Sequence, residues 1–569
     1  MTDARQLPTP SSPTGLGTPQ KQLLTELFQD MGTQHKDFWS ARITDEEERN
    51  HLYAEYSKST HTRAEIVFYE SMSGARVMDN PFSVFKHAVD NTPPAAHKLH
   101  VWSCSAGELV PDEMAERNDV VFVKRHSREY MYLLASAKHI IGNSVLPKYF
   151  VRKPDQKYMN TWHGIGYKWL GRSHSNPLGA SLSVTNMLQA THVISPCSFM
   201  TDVLVDRFSI RGSFTGRLGE TGYPRIDATL NASEAAKDSL RSRLGTDPQK
   251  KTVLYAPTWR GEGKSAEKQI EQLDKDLLTL RRMNANIVFL GHHIMARRIR
   301  ERAFPGIFIP PPNANTNEIL SISDVLITDY SSIFFDFLVT GRPIIHYMYD
   351  YNTYKKARGL ALEPDELPGE VAFDAVSLAA LTRSAISGNI SQSTRYRAAQ
   401  ARFCPHEDGH ASARAARWFF ENDSIPHEIP IGQDKPRVAF WGGRLARSEA
   451  LEPFLNQLRE RALARHEYIT LVIARSAIKS PGVKTVLQEL GTAIAVVARD
   501  DYEMGMTSAE QSARLRSAKE RSREDTDLYD EIYKREYSRL LGNARFDEVV
   551  LYGNLSHFWK KLGRLALAA

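Results

Sequence analysis

The sequence predicts an α/β protein: two successive doubly wound parallel sheets, followed by a third, partial α/β stretch. Three observations carry this expectation. Strand-like and helix-like runs alternate from Glu65 to about residue 227. A second alternation starts at Lys251 with KTVLYAPTWRG. Between Asp324 and Pro343, DVLITDYSSIFFDFLVTGRP places a β-branched run, a polar turn and an apolar run of helical density in direct succession, with Gly341 and Pro343 as stop signals.

Composition sets the frame. A chain of 569 residues has room for about three domains, each able to bury a core. Charged residues at 25% and hydrophobic ones at 41% are those of a soluble globular protein. A net charge of +6 is mild for this length. It suits an anionic substrate or an anionic membrane surface, and it lacks the concentrated basic stripe of a nucleic-acid binder. Cys104, Cys197 and Cys404 lie far apart, so they read as reduced thilols of a cytosolic protein and as neither a disulfide framework nor a metal site. The first residues hold no apolar signal core, and no apolar run reaches the length of a membrane span. The expectation is a cytoplasmic protein whose membrane contact, if it has one, is peripheral.

In chain order, residues 1–20 are rich in Pro, Ser, Thr and Gly and are expected to form a disordered tail. Lys21 to about Lys58 carries helical spacing. The first domain, 21–227, then runs through AEIVFYES, PFSVFKHAVDN, LHVWSC, DVVFVKR, REYMYLLASAKHII, YMNTWHG, HVISP and GETGYPRID. The second, 228–424, holds KTVLYAPTWRG, a long helix, NIVFLGHH, GIFIPP, DVLITD and RPIIHYMYD. Two such domains in series imply a cleft between them, where ligands bind. SIPHEIPIGQDKP reads as a linker, and 425–569 holds a further α/β stretch with PRVAFWGGR, YITLVIARS and AIAVVARD, interrupted by a charged segment.

Several strand ends carry side chains suited to chemistry. Ser331 and Ser332 stand where a helix start would offer free N–H groups to an anion, although two serines there can equally serve as N-caps. Asp336 lies one turn on, an acid on an apolar helix that needs a hydroxyl or a cation as partner. His163, between Trp162 and two glycines in NTWHGIGYK, is placed to act as a general base, or to be a structural histidine bonded to backbone. His292 and His293 end another strand and point to opposite sides. Without a third ligand at suitable spacing they do not make a zinc site. Arg225 in GETGYPRID, and Pro257, Thr258 and Arg260 in YAPTWRG, suit phosphate contacts or ordinary loop structure. No GxxxxGK[ST] loop, GxGxxG fingerprint, GxSxG elbow or Asp-rich metal motif is present.

Taken together, QKYMNTWHG, GETGYPRID, VLYAPTWRG, SDVLITDYSSIFFDFL, RPIIHYMYDYNTY and DGHASAR, with IVFYESMSGARVMDNP upstream, resemble the CDP-glycerol glycerophosphotransferase family, which includes teichoic acid primases and polymerases and related capsule polymerases. The similarity spans about Ile66 to Ala415. It implies a GT-B architecture with the acceptor on the first Rossmann-like domain and the CDP donor on the second. It also implies transfer of a polyol phosphate, glycerol phosphate first, to a hydroxyl of a lipid-linked or polymer acceptor, with release of CMP and without a metal or other cofactor, at the inner face of the cell membrane. By position, the resemblance makes His163 the base and His293 a second essential histidine. It makes His163, Gly164, Ile165, Gly166, Tyr167, Arg225, Pro257, Thr258, His293, Ser331, Ser332 and Asp336 donor contacts.

Two departures bear on the donor. Ile165 and Gly166 replace the family's usual Thr-Pro, and Gly291 stands where an Arg often precedes the second histidine. Ribitol phosphate or a sugar 1-phosphate therefore remains open as the transferred group, and Arg297, Arg298 and Lys168 are candidates for the missing charge. A nucleotide-sugar glycosyltransferase on the same fold and a catalytically idle scaffold are the competing readings. The last 130 or so residues resemble the opening half of a second glycosyltransferase-type domain, a degenerate module suited to packing or partner contact.

Overall fold

The structure is a computed structural model and describes residues 25–26, 41–91, 99–105, 109–115, 117–171, 178, 180–261, 264–302, 304–432, 434–500, 504–516 and 522–567. The tail expected over 1–20 lies outside them. Of the helical stretch expected up to Lys58, the helix Glu46–Ser59 is described, with the Asp45 carboxylate accepting from the N–H of Glu48 at 2.7 Å as its N-cap.

The first sheet takes strands β1 (Arg63–Glu70), β2 (Leu99–Ser103), β3 (Val120–Val123), β4 (Ala137–Gly142), β5 (Lys157–Asn160), β6 (His192–Ser195) and β7 (Arg217–Glu220) in the parallel order β7-β6-β5-β4-β1-β2-β3. The second takes β8 (Lys251–Ala256), β9 (Ala285–Phe289), β10 (Ile307–Phe308), β11 (Val325–Thr328), β12 (Ile344–Tyr347) and β13 (Glu370–Ala372) in the order β10-β9-β8-β11-β12-β13. Each sheet starts in its middle, builds to one edge and then reverses. Helices cover both faces, so the strands read as unbroken apolar runs: Val325, Leu326 and Ile327 are all at most 1% exposed. Ligands of such sheets bind outside the carboxyl ends of the strands, where the order reverses.

The chain then returns to the first body. The helix Ala411–Ala416 is seated by Asp227, whose carboxylate accepts from the N–H groups of Ala411 at 3.1 Å and Ser412 at 2.7 Å. An acid at a helix start both satisfies free donors and meets the positive end of the dipole. β14 (Glu428–Ile429) then pairs antiparallel with β7 and closes that edge. Residues 411–429 therefore pack with the first sheet and not with the second, where the sequence division at 424 had placed most of them.

The third sheet, β15 (Arg437–Gly443), β16 (Tyr468–Ala474), β17 (Ile494–Arg499) and β18 (Glu548–Leu551), is parallel in the order β17-β16-β15-β18. It has the same reversal, but its crevice is filled by its own chain. A side chain on Gly443, at the tip of β15, would meet Leu555 at 2.8 Å and Trp559 at 2.9 Å. This module is fastened to the first body by Ser181 Oγ to the Ala498 carbonyl at 3.0 Å and by the Ser213 and Thr470 hydroxyls at 2.8 Å.

One buried acid makes the second body sensitive to pH. Asp276 is fully buried and accepts from Tyr255 Oη at 2.9 Å, Tyr347 Oη at 3.1 Å and Gln272 Nε2 at 2.9 Å. Burial pushes its carboxyl up to about 6, and these three hydrogen bonds only partly offset it. The folded state therefore binds this proton more tightly than the unfolded chain. Above pH 6 the charged form destabilises the fold by about 3 kcal/mol, and the penalty fades as pH falls from 6 toward 4. Asp276→Asn is expected to stabilise the protein at pH 8 and to lose most of that advantage by pH 4.5, measured as the difference in unfolding midpoint between variant and wild type.

Candidate active site

The loop after β5 is fixed before it reaches the cleft. Asn80 Nδ2 donates to the carbonyls of Thr161 at 3.2 Å and Trp162 at 3.3 Å, and Asn160 Oδ1 accepts from the Trp162 N–H at 2.9 Å. Trp162 is thereby held at φ 49°, in the left-handed region, with His163 stacked on its ring at 4.6 Å. His163 is exposed, and its Nδ1 lies 2.8 Å from the carbonyl of Asn143. A carbonyl can only accept, so Nδ1 carries the hydrogen and Nε2 carries the lone pair. That is the tautomer a general base needs.

Gly164 brings the two bodies together. It holds φ +144°, and a Cβ there would lie 3.1 Å from Ser332 Oγ and 3.3 Å from Arg225 Nη2. The backbone beside His163 therefore touches the loop after β11. A Cβ at Gly164 would crowd these two side chains, and at φ +144° any other residue would be strained. Ser332 opens the helix Ile333–Phe337 with no side-chain capping bond, and Ser331 Oγ accepts from the Ile333 N–H at a long 3.4 Å. The helix is shorter than the sequence suggests, because Leu338–Thr340 tightens to 3₁₀. What it offers an anion is the N–H groups of one turn and two hydroxyls, not a long dipole.

Arg225 and Asp336 grip each other. Arg225 Nε and Nη2 meet the Asp336 carboxylate at 2.7 and 2.9 Å, and Nη1 donates to Asp79 at 2.9 Å and to the His163 carbonyl at 2.9 Å. Burial alone would lower the guanidinium's pKa, but the two carboxylates outweigh it and hold the group charged. Asn317 Nδ2 supports Asp336 at 3.3 Å. The partner the sequence required for this acid is thus a residue of the first body.

The same pattern recurs beside Thr258. Arg260 reaches Asp329 at 2.9 Å and Asp350 at 2.8 Å, and it lies over the rings of Tyr330 and Tyr354 at 4.9 Å each. Its fork is taken up by protein, so the phosphate contact considered for it from sequence is not what this geometry offers. Asp329 in turn accepts from the Thr258 N–H at 2.9 Å. This positions Thr258, whose buried Oγ1 has no hydrogen-bond partner, next to Pro257 at the tip of β8. A hydroxyl buried without a partner suits a ligand that supplies one.

Lys168 differs from these arginines. Among the described residues no carboxylate lies within ion-pair distance of its amine, which stands 5.9 Å above the Tyr354 ring. Burial and then Arg260 lower its pKa, with Asp329 opposing. Of the other cations considered for the missing charge, Arg298 pairs with Asp274 at 2.9 Å, and Arg297 is exposed beside Glu301 at 3.9 Å.

Tyr167 is buried against Phe334 with its hydroxyl unpaired, and Ile165 is buried as well. Gly166 admits Leu170, which a Cβ there would meet at 2.7 Å. His292 stacks flat on Trp259 at 5.0 Å. His293 is the first residue of the helix His293–Arg302, and the role expected of its side chain falls outside the described residues.

Residues 52–421 match the family described as CDP-Glycerol:Poly(glycerophosphate) glycerophosphotransferase. The chain belongs to this family. Its relatives include the teichoic acid poly(glycerol phosphate) polymerase of Staphylococcus epidermidis, 28% identical over 386 residues that make up 63% of this chain and 51% of that protein. The teichoic acid glycerol-phosphate transferase of Staphylococcus aureus is 26% identical over 375 residues, 63% of this chain and 93% of that protein. The chain thus spans about half the length of the first relative. The solved structure of the wall teichoic acid polymerase TagF superimposes with a TM-score of 0.58 at 22% identity, over 72% of this chain and 98% of that one. It supports the GT-B-like fold expected from the motifs. The family match ends before β15, leaving the third sheet outside it.

Sequence reading missed the residues that hold this site together. Asp79 and Asn80 sit in MDNP, whose Asp79 takes φ 72°. That Asp-Asn-Pro turn was the available signal. Asn143, whose carbonyl sets the His163 tautomer, had none.

Proposed function

We propose that the chain transfers a polyol phosphate, glycerol phosphate first, from a CDP-linked donor to a hydroxyl of a lipid-linked or polymer acceptor in teichoic acid or capsule assembly. One observation carries the reading: Gly164, next to the base-competent His163 of the first body, touches Ser332 at the helix start of the second. The CDP moiety lies along the second body. Ser331, Ser332 and the first-turn N–H groups face its phosphates, Pro257 and Thr258 line the tip of β8, and His293 stands at the next strand end. His163 Nε2 takes the proton of the acceptor hydroxyl. The oxygen attacks the phosphorus bearing the polyol, the bond to the CMP oxygen breaks, and CMP departs. Such transfers depend mostly on positioning and on charge aimed at the transferring group.

Asp79, Asp329, Asp336 and Asp350 are each taken by Arg225 or Arg260. We assign neutralisation of the phosphates to Lys168 and backbone donors, with no metal or other cofactor, so chelator should leave the rate unchanged. No described helix is long and apolar enough to cross a membrane. We place the protein on the inner membrane face through its lipid-linked acceptor. Nucleic acid is not among the proposed partners.

The test is CMP release with CDP-glycerol, CDP-ribitol and UDP-sugars as alternative donors. A ribitol arm is warranted because a ribitol-phosphate polymerase of S. aureus is 30% identical over 43% of this chain. Acceptor-dependent CMP release is expected, and preference for a UDP-sugar overturns the assignment. Lys168→Met is expected to weaken binding of CDP-glycerol by about 10- to 100-fold, within the range for losing one charge-assisted contact, while cytidine binds as before. Calorimetric titration separates the two.

A further inference from the structure

At the carboxyl edge of the first sheet, the order reverses between β4 and β1. Glu70 ends β1, flanked by Ser103 at the tip of β2 and by Asn143 just past β4. These three side chains are 1%, 0% and 0% exposed; Ser103 Oγ and Asn143 Nδ2 have no hydrogen-bond partner, while Glu70 accepts from Tyr130 Oη at 2.8 Å through Oε2 and turns Oε1 toward Arg125. Arg125 lines the same place. Its Nη1 is 3.7 Å from Glu70, Nη2 donates to the Val145 carbonyl at 2.9 Å, and Nε is buried and unpaired. Buried polar atoms in native proteins are nearly always paired, so three unpaired ones, Ser103 Oγ, Asn143 Nδ2 and Arg125 Nε, at a single switch point call for a ligand. The backbone of the same Asn143 holds His163.

We infer that this crevice binds the terminal polyol phosphate unit of the acceptor. The proposal rests on the reading of the first body as the acceptor side, and it names the residues and the chemistry recognised. Glu70 Oε1 accepts from a hydroxyl, Asn143 Nδ2 donates to one, and Ser103 Oγ does either. Their strands are neighbours about 4.8 Å apart, so a diol between them reaches both flanks. Arg125 adds a guanidinium edge for the phosphate of the same unit.

The roof is Met72–Gly74, three consecutive residues at φ 48°, 57° and 78°. Gly74 lies directly over Ser103, since a Cβ there would be 2.5 Å from its Oγ. The roof hangs from the rim by three bonds, Met72 N–H to Asn143 Oδ1 and Ser73 N–H to Ser144 Oγ, each 2.8 Å, and one between the Ser73 and Ser144 hydroxyls at 3.3 Å. Hydroxyls of an entering polyol can replace both acceptors, so the roof lifts in exchange for equivalent bonds.

The probe is a soluble di(glycerol phosphate) with a free terminal glycerol, titrated calorimetrically into the full chain. Wild type is expected to bind it. Ser103→Val, which fills the crevice, and Glu70→Gln, which keeps the shape and removes the charge, are expected to weaken it at least tenfold. CDP-glycerol affinity and the unfolding midpoint should stay unchanged in at least one of the two variants. Equal probe binding by wild type and both variants, or none by wild type, overturns the inference. Failure of wild type to bind CDP-glycerol counts against the donor assignment alone.

Discussion

His163→Ala is expected to lower acceptor-dependent CMP release by about 10²- to 10⁴-fold, the usual contribution of a positioned general base. Affinity for CDP-glycerol should fall far less, because Ser331, Ser332, Thr258 and Lys168 would still hold the donor. The expectation follows from the tautomer. With Nδ1 donating to the Asn143 carbonyl at 2.8 Å, Nε2 is the nitrogen able to accept a proton. Trp162 stacks against the ring and limits its swing. His163→Gln keeps a side-chain amide that can still donate to Asn143 but offers no basic nitrogen, so it should be as slow as the alanine variant. Turnover within threefold of wild type in both variants would remove His163 from the mechanism.

The legible part of this protein was its strand ends. Parallel strands buried on both faces write themselves as runs such as IVFY and VLIT, and turn residues after them mark where ligands meet the sheet. The expectation that His163 and the Ser331–Ser332 loop share one cleft came from such signals, and the structure brings Gly164, the neighbour of His163, against Ser332. What could not be read is which charges are spent inside the protein. Arg225, Arg260, Arg298 and Lys168 look alike in a sequence, since pairing depends on contacts across tens to hundreds of residues, as between Asp79 and Arg225 or Arg225 and Asp336. The third module shows the same limit. Its strands announced half a fold, but only packing reveals that Leu555 and Trp559 fill its crevice. The return of residues 411–429 to the first sheet was equally hidden, because Asp227 captures that helix from 184 residues away.

The second large effect concerns the clamp. Arg225→Met is expected to destabilise the protein by about 3–5 kcal/mol, because it leaves two buried carboxylates without their cation. Asp79 and Asp336 come from different bodies, and their side chains are each only 5% exposed. In a domain of this size the unfolding transition that includes the cleft should drop by about 6–20 °C. Arg225→Lys should recover only part of this. An ammonium cannot span Asp336 with two nitrogens while a third donates to both Asp79 and the His163 carbonyl. Removing one acid is milder, since Asp336→Asn leaves Arg225 with Asp79 and a neutral acceptor. If the clamp sets the cleft, CMP release in Arg225→Met falls together with the transition temperature and partly returns in Asp79→Asn/Arg225→Met, where one of the two stranded charges is gone. A variant that keeps its transition temperature but loses CDP-glycerol affinity would mean that the guanidinium serves the donor directly instead of joining the two bodies.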